Sequence, residues 1–304
     1  QRLVQIDGGQ EPCSKNSKCL EKEGVIMLSN VKEYFRPKTV EEAFEIMEAD
    51  REHSIFLSGG TIVALMESSR IERIIDLKSL RFDSVSIKED EIVVGATTTV
   101  EAFRKDPLVR KEFGDFFYDS FSLVGSWQIR NMATIGGSIA PKLGWSDVSA
   151  CLLAVGAGLI VYGSDGYRKM LLSDYFALPA GEKPLITHII IKKDGWISAF
   201  EKFSKTTFDI ATVNVALSIR PERGRIKAAR VVCGSRPQYP MRFDTIESAL
   251  EELEINDLMP SIVRSLVFDN FTGGSNMLAS FEYRKHLASV MAQKAAEKIK
   301  EMVI

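Results

Sequence analysis

The chain has 304 residues, 45% of them apolar and 26% charged, which suits two domains or one large one and argues against a disordered or fibrous protein. Its 39 basic and 41 acidic residues leave a formal charge of -2, so no global positive field draws it to nucleic acid or to an anionic membrane. The longest apolar run, Leu152 to Tyr162, is broken by Gly156 and Gly158 and falls short of the roughly 20 residues that a membrane-spanning helix needs.

Residues 1–26, rich in Gly, Lys, Glu and Ser, show neither helical nor strand period and read as an extension. No continuous apolar stretch with a small-residue cleavage site occurs there, so a cytoplasmic protein is the expectation. Four cysteines are too few for a disulfide framework. Cys151 and Cys233 lie in apolar segments and read as buried thiols, while the spacing of Cys13 and Cys19 fits neither a usual zinc site nor a complete iron–sulfur ligand set.

Regular structure is expected from Met27. Thr39 stands three residues before Glu42, a capping-box spacing, and opens a helix whose Val40, Ala43, Phe44 and Met47 share one face. A strand over Ser54 to Ser58 runs into Gly59-Gly60-Thr61; Ile62 to Met66 then reads as one or two helical turns and Arg73 to Leu77 as a strand. A second block starts with the strand Glu91 to Val94, turns at Gly95 and enters a helix through Thr98, with Glu101 three residues on. A mostly helical region continues to Arg130, followed by Thr134-Ile135-Gly136-Gly137-Ser138, an irregular stretch to Asp147, a small-residue helix over Val148 to Leu153 and the strand Gly158 to Tyr162.

From Trp196 the pattern changes. Ile210 to Ile219 alternates Ala211, Val213, Val215, Leu217 and Ile219 against Thr212, Asn214 and Ser218, which predicts a half-buried strand. With Trp196 to Phe203 and Ile226 to Cys233 it makes a three-stranded antiparallel meander. Two amphipathic helices follow, one facing inward through Ile246, Ala249, Leu250 and Leu253, the other through Leu287, Met291, Ala295, Ile299 and Met302.

Two segments concentrate small residues where chemistry could sit: Leu57-Ser58-Gly59-Gly60-Thr61 and Thr134-Ile135-Gly136-Gly137-Ser138. Paired glycines permit positive φ and close approach, and consecutive N–H groups can form a nest for phosphate oxygens; a plain tight turn would use the same residues. Neither segment is a Walker loop or a three-glycine dinucleotide fingerprint. Asp147, nine residues after Ser138, is either a carboxylate for ligand hydroxyls or the cap of the helix that begins at Val148. His53, His188 and His286 are far apart in sequence, and no nucleophile–base pair, catalytic residue or metal cluster can be assembled from spacing.

The run from Gln128 to Ala140, with Asp147 beyond it, resembles the second flavin motif of the FAD-binding subunits of molybdenum hydroxylases, the family of the carbon monoxide dehydrogenase middle subunit and the xanthine dehydrogenase flavin domain. Tyr34 to Thr39 resembles the family's opening, and Leu57 to Ala64 its first flavin loop. Phe203-Ser204-Lys205, Asp209-Ile210-Ala211 and Tyr283-Arg284 resemble patterns of its carboxy-terminal domain. Two departures stand out: Ile62 replaces a commonly acidic residue, and Pro141 to Trp145 replaces the usual segment before Asp147.

The resemblance implies an α+β chain: a two-part FAD-binding domain of the flavin-dehydrogenase (PCMH-like) type over 27–195, divided near 82, then a smaller domain over 196–304 with the three-stranded sheet and helices. It implies non-covalent FAD, its diphosphate over the first loop and its flavin-ribityl part near the second. The implied contacts are Leu57, Ser58, Gly59, Gly60, Thr61, Ile62, Val63, Ala64, Thr134, Ile135, Gly136, Gly137, Ser138 and Asp147, with Val124, Leu185 and Lys202 as further positions. It also implies a molybdopterin-containing large subunit and a 2Fe-2S small subunit as partners, this chain passing electrons from the clusters to NAD or another acceptor. A self-contained flavin oxidase or reductase of the same fold, or a cofactor-free interaction subunit, are the alternatives.

Overall fold

The computed structural model describes residues 28, 30–66, 68–179, 181–235, 239–251 and 253–303, so the amino-terminal extension with Cys13 and Cys19 lies outside the described residues. The chain divides into two compact units between Leu80 and Arg81.

The first unit contains β1 (Glu33–Phe35), α1 (Val40–Ala49), β2 (Ser54–Leu57) and β3 (Arg73–Asp76). The strands form a parallel sheet in the order β1-β3-β2, with Phe35, Ile75 and Phe56 in one row. Thr39 caps α1 by accepting the Glu42 N–H at 3.1 Å, and the expected face of Val40, Ala43, Phe44 and Met47 is buried. The helical segment after the first glycine pair is a single 3-10 turn, Val63–Leu65, because Met66 returns to extended backbone.

In the second unit, β4 (Val85–Lys88) and β5 (Glu91–Gly95) precede six helices: α2 (Val100–Lys105), α3 (Pro107–Phe113), α4 (Phe116–Ser122), α5 (Trp127–Met132), α6 (Ile135–Ile139) and α7 (Asp147–Ala154). Then come β6 (Gly158–Gly163), β7 (Gly166–Leu171), α8 (Leu172–Ala177) and β8 (Leu185–Lys192). The five strands form an antiparallel sheet in the order β4-β5-β8-β6-β7. Strand β8 escapes a period-2 reading because residues on both its faces are buried, which erases the alternation of apolar and polar residues. The cap of α2 is Thr99, not the expected Thr98: Thr99 accepts the Ala102 N–H at 3.1 Å, while the carbonyl of buried Thr98 is engaged by Ile135. Glu101 accordingly points inward into ion pairs instead of closing a capping box.

The same unit continues with β9 (Ile197–Phe203), β10 (Val213–Glu222), β11 (Arg225–Gly234), β12 (Met241–Arg242), α9 (Asp244–Leu250), α10 (Pro260–Asn270) and α11 (Phe281–Val303). The expected antiparallel meander is present, extended by the two-residue β12 in the order β12-β11-β10-β9. Strand β10 is not half-buried as its alternation suggests. Val213, Val215, Leu217 and Ile219 pack with Leu287 and Met291 of α11, while Ala216 packs with Leu152 of α7, so Asn214 and Ser218 are also fully buried. Two outliers mark the helical stripes: Met302 is exposed where the last turn runs past the core, and Ala249 faces outward while Glu247 turns in to Arg242. Cys151 and Cys233 are buried, as their apolar segments suggest. Among the described residues, no helix is long and apolar enough to cross a membrane.

Candidate cofactor site

The first glycine segment leaves the carboxyl edge of the parallel sheet, where β2 ends at Leu57 opposite Asp76 of β3. Gly60 adopts φ of 75°, a conformation glycine enters without Cβ strain, and its carbonyl accepts the Ala64 N–H at 2.9 Å. Among the described residues, the N–H groups of Gly59, Gly60, Thr61 and Ile62 make no hydrogen bond. Residues Leu57 to Val63 are half-buried and Ala64 is exposed, so these donors sit in a partly sheltered turn. Unsatisfied consecutive donors at the carboxyl end of parallel strands fit an anionic group. Beside them, the buried Asp76 carboxylate accepts the Tyr34 hydroxyl and the Lys78 N–H at 2.9 Å. Burial and the bond to Asp76 push the Tyr34 hydroxyl up to about 12, so it stays a proton donor throughout the neutral range.

The second glycine segment is built differently. Thr134 caps α6, its Oγ1 accepting the Gly137 N–H at 3.1 Å. The N–H groups of Ile135, Gly136 and Ser138 reach the carbonyls of Thr98, Ala96 and Thr134, each at 2.9 Å. The N–H groups from Ile135 to Ser138 are therefore all occupied, and neither glycine has positive φ. Of the two alternatives, nest or tight turn, the segment forms a turn of helix, because the cap and the neighbouring carbonyls of 96 and 98 satisfy its backbone. The glycines serve packing: a Cβ on Gly136 would meet the Ala96 carbonyl oxygen at 2.8 Å, and one on Gly137 would meet Thr134 Oγ1 at 2.7 Å. A ligand can approach the half-buried faces of Gly137 and Ser138, but not through their N–H groups.

Asp147 is not the helix cap that its position allows. Ser146 is the cap of α7, accepting the Ser149 N–H at 3.2 Å, and Asp147 is the first helical residue with a side chain 5% exposed. Its Oδ2 accepts the Lys202 ammonium at 2.7 Å and its Oδ1 accepts the Asn214 amide at 2.7 Å. Burial pushes this carboxyl above the usual range, with Lys202 and Asn214 pulling the other way. Lys202 also donates to the Leu123 carbonyl at 3.2 Å. The next carbonyl, that of Val124, accepts Arg130 Nη1 at 3.4 Å, and the same nitrogen reaches Ser122 and Gly125 at 2.9 and 2.7 Å. Arg130 Nε in turn binds Glu101 at 2.8 Å. Burial alone would raise Glu101, but Lys105, Arg130 and Arg104 outweigh it and hold this carboxyl near 2.

The hydroxyls of Ser146 and Ser149 donate to the Ser138 carbonyl at 3.1 and 3.3 Å, tying α6 to the start of α7. In the second unit, three sets of bonds thus meet at neighbouring residues: Ser138 with Ser146 and Ser149, Asp147 with Lys202 and Leu123, and Val124 with Arg130. Leu185 is buried at the start of β8, two residues before Thr187, whose carbonyl accepts the Ala96 N–H. Sequence reasoning passed over Asn214, Glu101 and the role of Arg130. Their signals were polar residues at positions that alternation and capping rules send to solvent.

Residues 29–192 match the family described as FAD binding domain in molybdopterin dehydrogenase, and residues 198–299 match the CO dehydrogenase flavoprotein C-terminal domain. The chain is 24% identical to the glyceraldehyde dehydrogenase medium chain of Sulfolobus acidocaldarius, over 88% of this chain and 97% of that one. It is 25% identical to the carbon monoxide dehydrogenase medium chain of Afipia carboxidovorans, over 88% and 96%. In fold it is similar to a chain of quinoline 2-oxidoreductase from Pseudomonas putida 86, with a TM-score of 0.79 and 20% identity over 89% of this chain and 97% of that one. The chain belongs to the FAD-binding flavoprotein family of the molybdopterin dehydrogenases, a family of oxidoreductases whose cofactor is FAD.

Proposed function

We propose that this chain is the FAD-carrying electron-transfer subunit of a multi-subunit molybdenum hydroxylase, taking electrons from iron–sulfur clusters on a partner chain and passing them to NAD or another acceptor. The observation that carries this reading is the row of N–H groups from Gly59 to Ile62, unpartnered among the described residues, in a chain of this family. Bound FAD supplies exchange between single electrons and electron pairs, so the chain's own residues need only bind, orient and shelter it. Leu57 to Ala64 hold the diphosphate, chiefly through the free donors. Thr134 to Ser138 offer a preformed helical surface to the flavin-ribityl part. Asp147, itself held by the Asn214 amide, fixes the Lys202 ammonium, and Asp147, Lys202, Val124 and Leu185 complete the contacts.

The names of relatives support the assembly: one is a medium chain of carbon monoxide dehydrogenase, another the FAD-subunit of nicotinate dehydrogenase from Eubacterium barkeri. Mild affinity purification from the native source, followed by flavin and metal analysis, tests the proposal. The expected product is yellow, releases FAD on denaturation and travels with chains that contain molybdenum and iron. A colourless chain that takes up no added FAD refutes it, and a flavin-loaded chain that turns over a small substrate alone refutes the partner assignment. Reduction of NAD by the purified complex identifies the acceptor.

A further inference from the structure

We propose that the Arg36 guanidinium is the side-chain charge partner of the FAD diphosphate, aimed by the Tyr34–Asp76 pair; this rests on the FAD reading above and deepens it. The three parallel strands end together: Phe35, Ile75 and Phe56 share a row, and the next row sets Asp76 opposite Leu57, with Arg36 following Phe35 on the other side. Neighbouring strands lie roughly 4.8 Å apart, so Arg36, Asp76 and the start of the glycine segment fall within about 10 Å.

Asp76 makes this edge a problem for an anion. Its carboxylate, 3% exposed, lies one strand from the free N–H groups and would repel a diphosphate. Tyr34 and the Lys78 N–H occupy it without changing its charge. Arg36 can offset that charge. Its Nε stands 3.5 Å from Asp76, longer than the 2.7–2.9 Å of a full charge-assisted bond, and its side chain is 58% exposed. Among the described residues, the terminal nitrogens of its fork have no partner. Arg73, also on this sheet, is already engaged by Glu33 at 3.0 Å and by the Ile46 carbonyl at 3.2 Å. A loosely held, planar fork at the mouth of an anion nest is the arrangement that suits phosphate oxygens.

The test titrates the full-length apo chain with FAD and with riboflavin, which lacks phosphate, at low and high salt, comparing wild type, Arg36→Gln and Arg36→Lys. Arg36→Gln is expected to weaken FAD binding about tenfold, flatten its salt dependence and leave riboflavin affinity unchanged, with Arg36→Lys in between. FAD affinity and salt dependence equal to wild type overturn the inference, and so does an equal loss for riboflavin. Failure of the wild-type chain to bind FAD sinks the underlying reading, a result distinct from either.

Discussion

Gly59-Gly60 and Gly136-Gly137 are the same two letters followed by a hydroxyl residue, yet their backbones are in opposite states. Among the described residues, the first pair leaves four consecutive N–H groups unused, from Gly59 to Ile62, and it needs positive φ at Gly60. Around the second pair, the N–H groups from Ile135 to Ser138 are spent on Thr98, Ala96 and Thr134, and the missing side chains let α6 press against Ala96. A glycine pair is thus not one signal. It marks either donors kept open for a ligand or two backbones brought close, and the hydrogen-bond partners decide which. The first segment should therefore respond to substitution mainly through cofactor affinity, and the second mainly through stability.

The largest expected effect lies under the second segment. Arg130, which leads into it through α5, is anchored by Glu101, a side chain 6% exposed. Glu101→Gln leaves Arg130 and Arg104 buried with a weakened acceptor and should cost about 3 kcal/mol, read from urea unfolding. The pH dependence has a definite sign. Burial raises Glu101, but its three cationic neighbours dominate and bring it from its usual 4.5 to about 2. Its stabilisation is therefore complete above the unfolded value and is lost as pH falls through that window. The difference in melting temperature between wild type and Glu101→Gln should shrink as pH drops from 4.5 to 2. A difference that stays constant would show that the pair does not hold the segment.

Next in size is Gly136→Ala. Its Cβ would meet the Ala96 carbonyl oxygen at 2.8 Å, a backbone atom with no rotamer to escape by, so a loss of about 2 kcal/mol in stability is expected. The same substitution at Gly60 meets only a Leu57 methyl at 3.5 Å. If Gly136→Ala left unfolding unchanged, the packing account of the second pair would fall and the two segments would again look alike.

This difference sets the limit on what sequence shows. The helix of Val40 to Met47, the glycine pairs, the meander and the helices that close the chain follow from local spacing, and each forms. What escapes spacing is anything decided by a neighbour distant in the chain. Strand β8 has no alternation because both faces are covered, and β10 alternates as a surface strand does although α7 buries its polar face. Asp147 offered a cap by local spacing, but Ser146 is the cap and the Asp147 carboxylate is held by Lys202 and Asn214, which arrive from β9 and β10. Likewise no local rule tells an open nest from a saturated turn, since the carbonyls that fill the second segment belong to residues 96 and 98.

The smallest effects separate the two segments most cleanly, because their costs in stability are matched. Thr134→Ala removes the oxygen that accepts the Gly137 N–H at 3.1 Å, a helix cap worth about 1 kcal/mol. Gly60→Ala forces an L side chain into φ of 75° at a cost of about 1 kcal/mol as well. Unfolding curves should therefore not distinguish the two variants. FAD titration should: at Gly60 the strain is relieved by turning the peptide planes that carry the four free donors, so affinity falls by about tenfold or more, since each lost charge-assisted bond is worth at least about 1.5 kcal/mol. Thr134→Ala disturbs a backbone whose N–H groups from Ile135 to Ser138 are engaged within the chain, and its FAD affinity should stay within about threefold of wild type, the loss of a few tenths of a kcal/mol. Equal losses at both positions would mean that the second segment binds through its backbone donors after all, by unwinding α6 when the cofactor arrives.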